Sequence, residues 1–172
     1  MAHANLAAAQ VGDQLPGTTF GPVTRAMLAL YAGASGDHNP AHIDIDFAKR
    51  AGLPDVFAHG MLSFGGLAQL VTRWAGLGCL RSFGARFVSM TQVHDLINCS
   101  GTVTERFEAD GETRLRIAVV AAAQDGRQTL LGEAVVAEAE NRAFRPGVDA
   151  GDAGAAGELF QVHRFQQVRH FL

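Results

Sequence analysis

Gly60-Met-Leu-Ser-Phe64-Gly-Gly-Leu67-Ala-Gln-Leu70-Val71-Thr-Arg-Trp74 is the segment on which the fold turns. Its spacing predicts a helix. Met61, Leu62, Phe64, Leu67, Leu70, Val71 and Trp74 fall on nearly every side of that helix. A helix that is apolar all round is buried rather than laid on a surface. The longer apolar stretch containing it, Gly60 to Leu80, is interrupted by Gln69, Thr72, Arg73 and several glycines, so it reads as a core helix and not as a membrane span.

Downstream of this helix the period changes to two. Arg81 to Met90, Leu96 to Glu108, Thr113 to Ala123 and about Thr129 to Glu140 read as strands. Ala109-Asp110-Gly111 and Asp125-Gly126 supply the turns between them. In the third strand Leu115, Ile117 and Val119 alternate with Arg114, Arg116 and Ala118, giving one buried and one solvated face. One buried helix followed by a run of antiparallel strands predicts an α+β fold, with the sheet wrapped around the central apolar helix. Such a sheet has open edges, and pairing with a second copy removes one of them, so a dimer is expected.

Upstream, Val11 to Pro16 is turn-rich, and a short strand is expected near Thr18 to Val23. Thr24 suits a helix N-cap. Met27, Leu28, Leu30 and Tyr31 form the apolar stripe of a helix ending near Ser35-Gly36. Pro40 forces Asn39 out of the helical region, so Asp37-His38-Asn39-Pro40-Ala41-His42 is an ordered loop. A short helix over Asp46 to Ala51 follows, with Gly52 as its stop. The far end differs in composition. Pro146 to Gly157 is a Gly/Ala/Asp-rich linker. Leu159, Phe160, Val162, Phe165, Val168 and Phe171 then recur at near-helical spacing. The expected organisation is one domain over 1–142, with a linker and an amphipathic appendage over 143–172.

The chain has 172 residues, 48% hydrophobic and 18% charged, with a formal net charge of −3. This is a globular composition that can bury a core without metals or disulfides. A mildly acidic chain has no general electrostatic attraction for nucleic acid or anionic lipid. Cys79 and Cys99 show no CxxC spacing and read as reduced thiols. The N-terminus is too weakly apolar for a secretory signal. These features predict a cytoplasmic protein.

Two places carry chemistry. Asp37 and His42 lie five apart on a loop stiffened by Pro40, which can present a carboxylate and an imidazole to one small volume. Such a pair can hold one water and move its proton. His59-Gly60 opens the apolar helix. The first N–H groups of a helix lack partners and sit at the positive end of its dipole. Gly60 has no side chain, so a ligand oxygen can approach that N–H closely. Equally, Gly60 can relieve crowding between helix and loop. His38, His42, Asp44 and His59 match no zinc spacing, and no metal is expected. There is no phosphate-binding Gly-Lys-Ser/Thr loop and no Gly-x-Ser-x-Gly elbow.

Tyr31-x-x-x-Ser35-Gly36-Asp37-x-Asn39-Pro40-x-His42-x-Asp44, then Ala48-x-x-x-Gly52 and His59-Gly60-Met61, resembles the signature of the MaoC-like (R)-specific enoyl-thioester hydratases. Val11-Gly12-Asp13 matches their usual opening. The resemblance covers about residues 10 to 140 and implies a hot-dog fold in which the 60–74 helix is the sausage. It implies that Asp37 and His42 hold and activate water, and that Gly60 offers its N–H to the thioester oxygen. Asn39, Pro40, His59 and Met61 would shape the loop and the substrate site. The implied substrate is an acyl chain on coenzyme A or on an acyl carrier protein, with no separate cofactor. The implied assembly is a homodimer, or a heterodimer in which this chain is the catalytic member. Relatives often carry aromatic-x-x-Arg-Phe-x-x-Pro-Val-x-x-Gly-Asp after the helix. Phe83 to Phe87 fits that run, whereas Thr91-Gln-Val-His-Asp95 stands where its Pro-Val and Gly-Asp are expected. Some also place a serine on the central helix near the site, where this chain has Gly65-Gly66-Leu67-Ala68.

Overall fold

A computed structural model describes residues 3–138. In chain order the elements are β1 (Thr18–Phe20), α1 (Arg25–Ser35), α2 (Ile45–Arg50), α3 (Gly60–Ala75), β2 (Leu80–Phe87), β3 (Ile97–Ala109), β4 (Glu112–Ala123) and β5 (Gln128–Ala137). The strands form one antiparallel sheet in the order β1-β3-β4-β5-β2. It curls around α3, and this is the hot-dog fold.

The period-two pattern builds the sheet. Leu115, Ile117, Val119, Ala121 and Ala123 of β4 are all buried, in one core with Leu67, Leu70 and Val71 of α3. Each large side chain in that core contributes about 1.5–3 kcal/mol by leaving water. The β3–β4 hairpin turns at Asp110 and Gly111, whose φ values are 52° and 74°. That is the double left-handed conformation of a tight hairpin, for which Asp-Gly is suited. A register shift between Val103 and Glu105 marks a bulge in β3, and such bulges bend and twist a strand. On the outer face Arg116 bridges Glu105 and Glu133, while Arg81 and Arg114 share Glu112. Glu112 is thereby held down at about 2, chiefly by its bonds from Arg81. Being solvated, these pairs add little stability each.

Several expectations are corrected. β1 stops at Phe20, not Val23, because Gly21-Pro22 follows and proline has no N–H for a ladder. β2 ends at Phe87 rather than Met90. Leu30 is 77% exposed, so the buried line of α1 is Leu28 and Ala32. These two lie four residues apart on one face, whereas Leu30 points away. Nor is α3 buried all round. Met61 is 44% exposed at its first turn, where the helix emerges from the sheet. Thr24 caps α1 by accepting from the Met27 N–H, and Gly36 ends the helix at φ 74°. Cys79 and Cys99 lie buried. Among the described residues no helix is long and apolar enough to cross a membrane. The expected linker and appendage over 143–172, and any part of the last strand beyond 138, lie outside the described residues.

Candidate active site

The 37–42 loop is built by its own side chains. Asp37 accepts from the Asn39 N–H (3.2 Å), and Asn39 accepts from the Ala41 N–H (3.0 Å). These nested Asx turns give the backbone local partners. Pro40 then opens a single 3-10 turn over Pro40–His42, a position that needs no N–H. The turn ends with His42 pointing inward, 8% exposed. Asp37 stays exposed.

The imidazole of His42 is fixed by a distant partner. Its Nδ1 donates to the Phe57 carbonyl at 2.8 Å. A carbonyl can only accept, so Nδ1 carries the proton and Nε2 keeps its lone pair. Burial holds the His42 pKa below the usual histidine range. His59 also lowers it, while the Phe57 carbonyl and Asp37 oppose the shift. A neutral ring with an open Nε2 is a base.

Gly60 begins α3, and its preceding residue His59 makes no side-chain cap. None of the described residues places an acceptor on the Gly60 N–H. The close neighbour of Gly60 is Phe87 of β2. A Cβ at Gly60 would lie 2.6 Å from that ring. The crowding anticipated here is therefore with the sheet, and it coexists with an open amide. Met61 lies exposed beside it.

His59 is 1% exposed. Its Nε2 donates to the Asp37 carbonyl at 3.0 Å, and its ring lies 4.0 Å from that of His42. Donor atoms of Asp37, His42 and His59 come within 4.8 Å of one another. This differs from the metal-like set drawn in sequence. His38 is exposed, and Asp44 is committed as the N-cap of α2, accepting from Asp46 and Phe47. Of the three clustered groups, both imidazoles already give one nitrogen to a carbonyl, which leaves the Asp37 carboxylate and His42 Nε2 to meet a water or another small polar ligand.

Behind this cluster runs the 88–96 connection, whose supporting residues were missed in sequence. The Thr91 carbonyl accepts from the Ala58 N–H (2.8 Å), and Gln92 bridges to Phe57. The Thr91 hydroxyl meets Ser63 of α3 at 3.2 Å, both being buried. This buried Ser63 lies one turn from Gly60 and nearer the site than the Gly65-to-Ala68 stretch considered in sequence. Asp95, 6% exposed, accepts from the Gln92 N–H and pairs with Arg127 at 2.7 Å. Counted from Phe87, Asp95 falls on the Asp of the relatives' run, and His94 falls on its Gly. His94 indeed has φ 74°. The Gly-Asp part is thus half retained in sequence, with His94 in the left-handed conformation that glycine favours. Counting the spacing, rather than reading adjacent letters, would have found it.

An antiparallel sheet curled around one helix, with a carboxylate and two imidazoles clustered at the head of that helix, defines the class as a hot-dog protein. The MaoC like domain model matches residues 8–125, and the chain belongs to the MaoC-like dehydratase family. A fatty acid synthase subunit beta of Aspergillus oryzae is 38% identical over 114 residues, 63% of this chain and 5% of that one. An (R)-specific enoyl-CoA hydratase of Rhodospirillum rubrum is 34% identical over 84 residues, 48% of this chain and 58% of that one. Among solved structures, the unliganded R-hydratase PhaJ1 from Pseudomonas aeruginosa superposes with a TM-score of 0.68 at 29% identity. It covers 78% of this chain and 85% of that one. This chain spans only 5–7% of the length of the fatty acid synthase subunits it matches.

Proposed function

We propose that the chain adds water reversibly to trans-2-enoyl thioesters, carried on coenzyme A or an acyl carrier protein, to give (3R)-hydroxyacyl thioesters. The observation that carries this reading is the set of three groups at one place. The Asp37 carboxylate and the His42 imidazole, with its Nε2 lone pair free, cluster with His59, and the Gly60 N–H follows His59 directly at the head of α3, in a chain of the MaoC-like family. Asp37 and His42 hold the water between them. His42 Nε2 takes a proton as the water oxygen bonds to C3. The C2–C3 π electrons move toward the thioester, whose oxygen gains charge beside the Gly60 N–H. The pair then returns a proton to C2 on the same face, and the carbonyl re-forms. General acid–base groups and oxyanion donors each contribute roughly a hundredfold or more. Asn39 and Pro40 shape the loop, and Met61 lies where an acyl thioester reaches Gly60. The same sheet leaves β1 and β2 at its edges, and a second copy paired on one of them gives the homodimer we propose.

Incubation with crotonyl-CoA tests the reaction. Loss of enoyl absorbance without release of thiol is expected. Release of free coenzyme A thiol would instead make the protein a thioesterase. No change in either signal would reduce it to an acyl-thioester binding module or to one half of a heterodimer.

A further inference from the structure

We propose that His59 is a positioning residue that ties Asp37 and His42 into a single unit. This rests on the reading of Asp37 and His42 as the reacting pair. His59 touches both through different parts of its ring. Its Nε2–H donates to the backbone carbonyl of Asp37 at 3.0 Å. Its face lies against His42, centroid to centroid 4.0 Å, with the planes 33° apart. The rings continue on either side. Tyr31 of α1 stands 4.9 Å from His59, and Phe57 stands 4.7 Å from His42. Four aromatic rings from three separate stretches of chain thus form a ladder, with the two imidazoles in its middle.

The two ring nitrogens of His59 have different surroundings. Nε2 faces a carbonyl and must carry hydrogen. Nδ1 is buried and has no hydrogen-bond partner. An orphaned buried nitrogen still calls for a reason. Phenylalanine would stack on His42 without the orphan, but it cannot hold the Asp37 carbonyl. Glutamine would hold the carbonyl, but it has no ring to set against His42. Of these, histidine alone does both. His59 also sits directly before Gly60, at the N-cap position of α3.

The titratable groups packed around His42 are Asp37 on its own loop, His59 at the head of α3 and, beyond His59, Tyr31. Burial is the main cause holding the His42 pKa down, and His59 adds to it. Loss of the His59 ring therefore raises the pKa of His42.

Two variants separate the two contacts. His59→Gln keeps a donor for Asp37 and removes the ring. His59→Phe keeps the ring and removes the donor. Small misplacements of reacting groups cost up to about a hundredfold in rate. Both variants are expected to lower kcat by about ten- to a hundredfold, with KM changed much less. An NMR titration of the His42 ring should shift upward in His59→Gln and shift less in His59→Phe. If both variants keep wild-type kcat and an unchanged His42 titration, with only thermal stability reduced, His59 is mere scaffold and the proposal is overturned. The titration needs no turnover. An inactive wild type would therefore sink the hydratase reading, while the His42 shift would still decide whether His59 governs that ring.

Discussion

The 37–42 loop and the 88–96 connection both border the site, yet they are held in opposite ways. The first is self-made. Asp37 turns on Asn39 and Asn39 on Ala41, all within five residues. The second borrows almost every bond from far along the chain. The Val88 N–H reaches Thr129, His94 reaches Val23, Leu96 reaches Gln124, and Asp95 pairs with Arg127. Chemistry is presented by the local loop, and its alignment depends on the distant one. The Phe57 carbonyl that orients His42 belongs to the 57–58 segment, which is itself bridged to Gln92 and Thr91.

The largest effect should come from the self-made loop and should fall chiefly on turnover. Asp37→Asn and His42→Ala are each expected to lower kcat/KM roughly a thousandfold, about 4 kcal/mol of barrier. Asp37 is exposed, so Asp37→Asn should leave the melting temperature nearly unchanged. His42→Ala also removes a buried ring and strips the Phe57 carbonyl of its donor, so it should lower that temperature. A variant that keeps full activity would remove its residue from the reaction.

Asp95→Ala tests the borrowed connection, and its effect should fall on stability. It leaves the Gln92 N–H without its acceptor in a nearly dry site and takes from Arg127 its buried carboxylate partner, while Arg127 keeps the Met90 carbonyl and Asp125. Removing one member of a fully buried pair costs about 3–5 kcal/mol. Arg127 keeps access to water, with its side chain 32% exposed, so about 2–3 kcal/mol is expected in urea unfolding. Activity should fall as well, because Ala58 and Phe57 lose their backing. A loss no greater than that of a surface substitution would mean that the connection holds itself.

This contrast also explains what the sequence made legible. The all-round apolarity of α3 and the alternation of β4 are local periodicities, and they specified the helix and the sheet. The Asp-x-Asn-Pro-x-His run was readable because its bonds close within the run itself. The hydrogen bond from His42 to Phe57 spans 15 residues, and that from His59 to Asp37 spans 22. No periodicity announces either one. The Ser63–Thr91 contact and the Arg127–Asp95 pair are hidden for the same reason. Leu30 was misjudged by the opposite error, since hydrophobicity was taken as burial on a helix that packs on one face only.

A smaller loss is expected at Asn39→Ala. Asn39 accepts from Ala41 at the head of the Pro40–His42 turn. Losing a cap of this kind costs about 1 kcal/mol. Urea unfolding should show that cost, clearly below that of Asp95→Ala. Equal losses would erase the distinction between a loop that closes on itself and one anchored across the fold.

The smallest effect is a gain, at His94. A non-glycine residue at φ 74° pays roughly 1–2 kcal/mol for the approach of its Cβ to the backbone. His94→Gly removes that strain and keeps the N–H that donates to the Val23 carbonyl at 2.7 Å. Glycine in turn loses about 0.5–1 kcal/mol more backbone entropy on folding. The balance is a stabilisation of at most about 1 kcal/mol, read as a small rise in melting temperature. His94 also helps Arg25, the larger cause, to keep Asp55 ionised, but through solvent-exposed contacts that weigh little. His94→Ala is the control, because it loses the same imidazole and keeps the strain. If alanine stabilises as much as glycine, the imidazole and not the backbone is the source of the cost. If glycine destabilises, the histidine side chain itself holds the connection, and this part of the loop is local after all.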